Sequence, residues 1–102
     1  MATDSPRLFQ EALDIVLDHM RETMIAKQHD YGPGNISDFG DYGVLVRVND
    51  KVHRAKNLYL TGDAPRNETV DDTWLDIACY ALIAMMWRRG IWGFPMTEAT
   101  RD

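Results

Sequence analysis

The sequence is short of cysteine, of basic clusters, of membrane-length apolar runs and of strand-like alternation, and each shortage excludes something. Its one cysteine, Cys79, cannot form an internal disulfide, and a buried free cysteine is most often a small hydrophobe. That usage suits a reducing compartment, so a cytoplasmic protein is expected. The longest continuous apolar stretch, residues 77–87, falls well short of the ~20 residues that a spanning helix needs, and no membrane partner is expected. Met1 to Pro6 lacks a basic segment and charges interrupt the apolar residues that follow, which is not a signal-peptide pattern. A net charge of −5 without a basic block argues against long DNA or RNA, while a small nucleotide held through a metal suits an acidic protein. Only Val44-Leu45-Val46 approaches a strand, and it continues into a helical pattern. There is no internal repeat and no low-complexity segment.

What is present reads as helix. The 102 residues make a single all-α domain, 1–102, with a loose tail at 1–4 and a C-terminal tail at 91–102. A small bundle of three long helices and one short helical turn is expected. Ser5-Pro6 supplies a capping serine and a proline at the first helical position, so the first long helix is expected from there to about Gln28. Its acids Glu11, Asp14, Asp18 and Glu22 lie nearly opposite Phe9, Leu13, Val16, Leu17, Met20 and Met24. The acids read as a solvated face, with Glu22, nearest the next loop, as the one to test for a metal. The second long helix is expected from Tyr42 or Val44 to Leu60, with Leu45, Val48, Val52, Ala55 and Tyr59 as its apolar face. Arg47, Asp50, Arg54 and Asn57 share the other side, with Lys51 beside them. That side reads as a solvent-facing charge ladder. Alternatively, Asp50 is a metal ligand and the arginines meet phosphate oxygens.

Residues 67–90 are the segment around which the chain is organised. Between Trp74 and Trp87 only Asp76 is charged, and the stretch ends at Arg88-Arg89 and Gly90, a good helix stop. A helix apolar nearly all round belongs at the centre of a bundle or at an oligomer interface. Asp72 and Asp76 are four residues apart and share a face, and Glu68 extends the line if the helix begins before Thr69. The helix dipole explains acids in the first turn, Asp71 and Asp72, but not Asp76. Burying a carboxylate is costly without compensation, so either a metal ion or a basic side chain is expected beside Asp76.

Between the first two helices, Lys27, His29, Asp30, Tyr31 and Asn35 crowd around Gly32, Pro33 and Gly34, which break regular structure. Lysine meets phosphate and tyrosine stacks on a base, so this is either a ligand-binding loop or a plain connection. Ser37 and Asp38 can start a short turn, and Gly40 and Gly43 bracket a break or a tight helix contact. In the tail, Ile91, Trp92, Phe94 and Met96 are expected to pack back on the domain or on a second subunit.

The string Lys27-x-x-Asp30-Tyr31-Gly32-x-x-Asn35, Gly43, Arg47-x-x-Asp50-Lys51-x-x-Arg54, Asn67-Glu68, Asp72 and Asp76-x-x-x-Tyr80 resembles the small phage and bacterial nucleotide-modification-associated domain. That domain is similar to the all-α nucleoside triphosphate pyrophosphatases, the MazG-like group. The resemblance implies a helical homodimer or homotetramer that uses Mg²⁺ to cleave a nucleoside triphosphate to monophosphate and pyrophosphate. It implies Asp50, Glu68, Asp72 and Asp76 as metal ligands, with Asp50 and Asp76 catalytic. Lys27, Asp30, Tyr31, Asn35, Arg47, Lys51 and Arg54 would bind substrate, and Tyr31 or Trp74 would stack on the base. MazG-like enzymes carry Glu-Glu-x-x-Glu on the earlier helix, where this chain has the single acid Asp50 between Arg47 and Arg54. The expectation is therefore a Mg²⁺-dependent (d)NTP or modified-nucleotide pyrophosphohydrolase of phage nucleotide metabolism. The alternatives are a nucleotide-binding module without hydrolysis, in which Arg47 and Arg54 neutralise Asp50 and Asp76, and a helical interaction protein.

Overall fold

A computed structural model describes residues 5–62 and 69–98. It contains four helices, α1 (Phe9–Tyr31), α2 (Gly34–Ser37), α3 (Gly40–Thr61) and α4 (Val70–Arg88), with no strand among the described residues. The expected all-α bundle of three long helices and one short turn is therefore present. The main packing is α3 against α4, with α2 on α3 and α1 on α4. Among the described residues no helix is long and apolar enough to cross a membrane.

The helix ends follow local hydrogen bonding more closely than the sequence signals suggest. α1 starts at Phe9, without a side-chain cap, and not at Ser5-Pro6. The Arg7 N–H donates to Glu11 Oε1 at 2.9 Å, so a first-turn carboxylate reaches back to the backbone just ahead of the helix. At its other end α1 runs through Asp30 and Tyr31 and stops at Gly32, whose N–H bonds the Gln28 carbonyl. The expected loop is therefore shorter, and its first two functional candidates ride on the last turn of a helix. α4 opens with a reciprocal cap: Thr69 Oγ1 accepts from the Asp72 N–H at 3.0 Å, and Asp72 Oδ2 accepts from the Thr69 N–H at 3.2 Å.

The buried side chains are few: Ile36 of α2, Val44 and Ala55 of α3, Thr73 and Cys79 of α4. On α3 the inward stripe is Val44, Arg47, Val48, Lys51, Arg54, Ala55 and Leu58, all buried or half-buried, whereas Leu45, Val52 and Tyr59 are exposed. This rotates the expected facing of α3: Val48 and Ala55 of the expected apolar face do turn inward, and Asp50 and Asn57 stay exposed, but Arg47 and Arg54 turn inward in place of Leu45, Val52 and Tyr59. The stripe still has three- and four-residue spacing, but its members include three basic residues whose aliphatic stems can cover apolar surface. What fixes this face is polar: Arg54 and Lys51 find partners on α4 that the apolar set does not offer. Gly40 gives the close approach anticipated for that position. Its φ is 66°, and a Cβ there would sit 3.0 Å from the Trp87 ring, so a side chain would meet both strain and steric conflict.

Candidate functional site

α1, α2, α3 and α4 and the segment after α4 enclose one cavity of about 700 Å³, within the usual range for a small-molecule site. Its polar wall is drawn from four helices: Lys27 of α1, Asn35 of α2, Arg47 and Lys51 of α3, Asp76 of α4. The sequence spreads these residues over fifty positions, and helix packing brings them together.

Asp76 is the hub. Its Oδ1 takes the Lys27 ammonium at 3.0 Å and its Oδ2 takes the Lys51 ammonium at 2.9 Å, with only 14% of its side chain exposed. Burial pushes the Asp76 carboxyl pKa up, but the hydrogen bonds and charges of Lys51 and Lys27 outweigh it and leave the group below its ordinary value. Burial likewise works against the Lys27 charge, and Asp76 reverses that and holds the ammonium above the ordinary lysine range. Asp76 and Lys27 are therefore both ionised at neutral pH. The basic side chain expected beside Asp76 is a pair of lysines, not Arg47 or Arg54. Arg47 Nη2–H instead donates to the Asn35 carbonyl at 3.4 Å, which ties α3 to α2 at the cavity rim.

Several other candidates lie elsewhere. Arg54 does not line the cavity; its Nε–H donates to Thr73 Oγ1 at 3.3 Å, and that hydroxyl donates to the Thr69 carbonyl at 3.1 Å. Thr73 is fully buried, so this relay is a structural tie between α3 and the start of α4. Asp30 sits exposed beside His29 Nδ1 at 3.2 Å, outside the cavity. Asp50 is exposed on α3 and does not line the cavity. Trp74 donates its indole N–H to Tyr59 Oη at 3.0 Å and is not a cavity ring. Tyr31 does line the cavity and is largely exposed. Glu68 lies outside the described residues.

The described carboxylates among the implied Mg²⁺ ligands, Asp50, Asp72 and Asp76, are not gathered at one point, and Glu68 lies outside the described residues. Both oxygens of Asp76 are occupied by ammonium groups, Asp72 closes the cap of α4, and Asp50 is outside the cavity. Among the described residues no three His, Cys, Asp or Glu side chains come together. Among the described residues Asp76 is the one carboxylate in the cavity lining, and the two ammonium groups on it oppose a divalent ion there.

The other walls are apolar and aromatic. Tyr80, Trp92 and Phe94 join Tyr31, and Cys79 also lines the cavity, its thiol pKa raised by burial. Gln28 and Tyr80 went unweighed as ligand contacts in the residue-by-residue reading. For Gln28 the available signal was position: it sits one residue past Lys27 on a helix that continues to Tyr31. The cavity carries three cations, Lys27, Arg47 and Lys51, against one carboxylate, in a chain whose net charge is −5. Such a wall attracts an anion.

Comparison with known families matches the one described as nucleotide modification associated domain 1 over residues 27–87. Searches of curated proteins and of solved structures gave no match.

Proposed function

Since the chain belongs to the nucleotide modification associated domain 1 family, we propose that its cavity binds a nucleotide, phosphates toward Lys27, Lys51 and Arg47. One observation carries this reading: two lysines from separate helices share a single carboxylate at 3.0 and 2.9 Å on the wall of a cavity lined elsewhere by aromatic rings. Asp76 holds the ammonium groups at a fixed spacing, and a polyphosphate offers them more and stronger acceptor oxygens than one carboxylate does. Arg47, already fixed by the Asn35 carbonyl, adds a guanidinium at the rim. Binding by exchange of this kind needs no hydrolytic step.

Pyrophosphohydrolysis is the second reading, in phage or bacterial nucleotide metabolism, and it leans on Asp76 as the one carboxylate among the described residues that line the cavity. The two separate in one experiment. Standard and base-modified (d)NTPs are incubated with the protein, with and without Mg²⁺, and followed by calorimetry and by chromatography of the products. The binding reading expects saturable heats that Lys51→Met abolishes, and no monophosphate. Mg²⁺-dependent monophosphate that vanishes in Asp76→Asn would replace it with the enzyme, and absence of both heat and product across the panel would overturn both.

Self-assembly belongs to the same proposal. α1 has no buried residue, and Phe9, Leu13, Val16 and Leu17 form an exposed apolar face, with Val16 60% exposed. A face of this kind supports a homodimer or homotetramer. Light scattering on the wild type and on Val16→Glu tests it: the expected result is a dimer or tetramer that the substitution splits, and a monomeric wild type would sink it.

A further inference from the structure

The segment that follows α4 is a strap across one side of the cavity. After Arg88 the chain turns back on itself at Gly90, with φ 71°, and again at Gly93, with φ 91°. The Gly90 and Ile91 N–H groups bond the Trp87 and Met86 carbonyls, which closes the end of α4. The chain then crosses to the corner between α1 and α2. There the Trp92 indole N–H donates to the Pro33 carbonyl at 3.1 Å, and Gly93 lies against the Pro33 ring. This anchor brings Ile91, Trp92, Phe94 and Met96 into the lining of the cavity.

Two features of the strap stand out. Residues 91–97 carry no charge, whereas Lys27, Arg47, Lys51 and Asp76 elsewhere in the lining supply three cations and one carboxylate. The strap also lies outside residues 27–87, the part of the chain that the family accounts for. The cations lie within the family's span, and the strap adds Ile91, Trp92, Phe94 and Met96 to the cavity's apolar lining from beyond it. Phe94 lines the cavity yet is 69% exposed, so its ring contributes little to packing and is available to cover a ligand.

We infer that residues 91–96 form the base-recognition wall of this site: Phe94 and Trp92 cover the nucleobase while Lys27, Lys51 and Arg47 hold the phosphates. The inference rests on the nucleotide reading above and adds to it the element that selects the base. Affinity for the phosphate chain and affinity for the base then reside on different walls and respond to different substitutions.

The test compares a nucleoside triphosphate with inorganic tripolyphosphate, by calorimetry, on the wild type, Phe94→Ala and Phe94→Tyr. Phe94 is exposed enough that truncation leaves the fold intact. Stacking on an aromatic ring is worth about 1–3 kcal/mol per base, so Phe94→Ala should weaken the nucleotide about 5- to 150-fold. Tripolyphosphate affinity should stay within about twofold, and Phe94→Tyr should restore nucleotide binding. An unchanged nucleotide affinity in Phe94→Ala, or equal losses for both ligands, would overturn the inference and leave the nucleotide reading standing. A wild type that binds neither ligand would overturn the nucleotide reading and this inference with it.

Discussion

Asp72 and Asp76 sit one turn apart on the same face of α4, and their surroundings make them different chemical objects. Asp72 is solvent-exposed and spends its carboxylate on the Thr69 N–H and hydroxyl, which depress its pKa and close the start of the helix. Asp76 is largely covered, and its two oxygens tie α4 to α1 through Lys27 and to α3 through Lys51. Helical spacing places two side chains on a common face. What lies above each turn then decides whether an acid serves the backbone or a site.

The largest difference should appear on deleting each carboxylate. Asp76→Ala leaves two ammonium groups facing each other in a partly covered wall, which should cost about 2 kcal/mol, or roughly 10 °C in Tm. Asp72→Ala, measured by the same thermal melt, should lower Tm by clearly less. Equal shifts would erase the distinction between the two turns.

The pH profile sharpens the same contrast. The folded-state pKa of Asp76 lies below its unfolded value of 3.8, so its contribution is present above pH 3.8 and is lost as pH falls through the folded pKa. Lys27 has a folded pKa above 10.5, so its contribution is complete below pH 10.5 and is lost as pH rises through the folded pKa. Asp76→Asn should flatten both limbs of a chemical-denaturation profile, since it removes the carboxylate and the charge that raises Lys27. Asp72→Asn should touch the acid limb alone. An alkaline limb that is unchanged in Asp76→Asn would mean that the Lys27 bond does not operate in solution.

Third in size is the cap. Thr69→Ala removes the acceptor for the Asp72 N–H and should cost about 1 kcal/mol. It should leave ligand binding at the Asp76 turn intact, which calorimetry on the variant would check.

The limits of the sequence follow from this comparison. The three long helices and the central place of α4 were legible, because apolar periodicity and glycine–proline breaks are local signals, whereas the short turn expected to start at Ser37 and Asp38 lies earlier, at Gly34–Ser37. The facing of α3 was not. Of its expected apolar set Val48 and Ala55 turn inward, but Leu45, Val52 and Tyr59 are exposed and the inward face also carries Arg47, Lys51 and Arg54. That choice depends on partners supplied by another helix, Asp76 for Lys51 and Thr73 for Arg54, and periodicity within one helix holds no record of them. The same applies to the site. Lys27, Tyr31, Asn35, Arg47, Lys51 and Asp76 were named as candidates and share one cavity, while Asp30, Asp50, Asp72 and Arg54 were named with them and lie outside its lining. Acidic residue type alone could not separate Asp50 from Asp76, since the separation is made by two lysines.

A second ion pair tests whether length or setting carries the stability. Arg88 Nη1 lies 3.0 Å from Asp41 Oδ2, the same separation as Lys27 from Asp76. Here the side chains are 74% and 38% exposed, against 52% and 14% for Lys27 and Asp76. Water and salt screen the outer pair, and ordering two long side chains offsets most of its attraction, so Arg88→Ala should cost about 0.5 kcal/mol or less. Raising the salt to ~1 M should remove even that, because the screening length falls to about 3 Å. Lys27→Met should retain most of its larger cost at high salt, since Asp76 stays covered on the side facing Lys51. If both pairs lose stability equally with salt, the covered setting of Asp76 gives it no protection, and the contrast between the turns of α4 reduces to the number of partners each acid has.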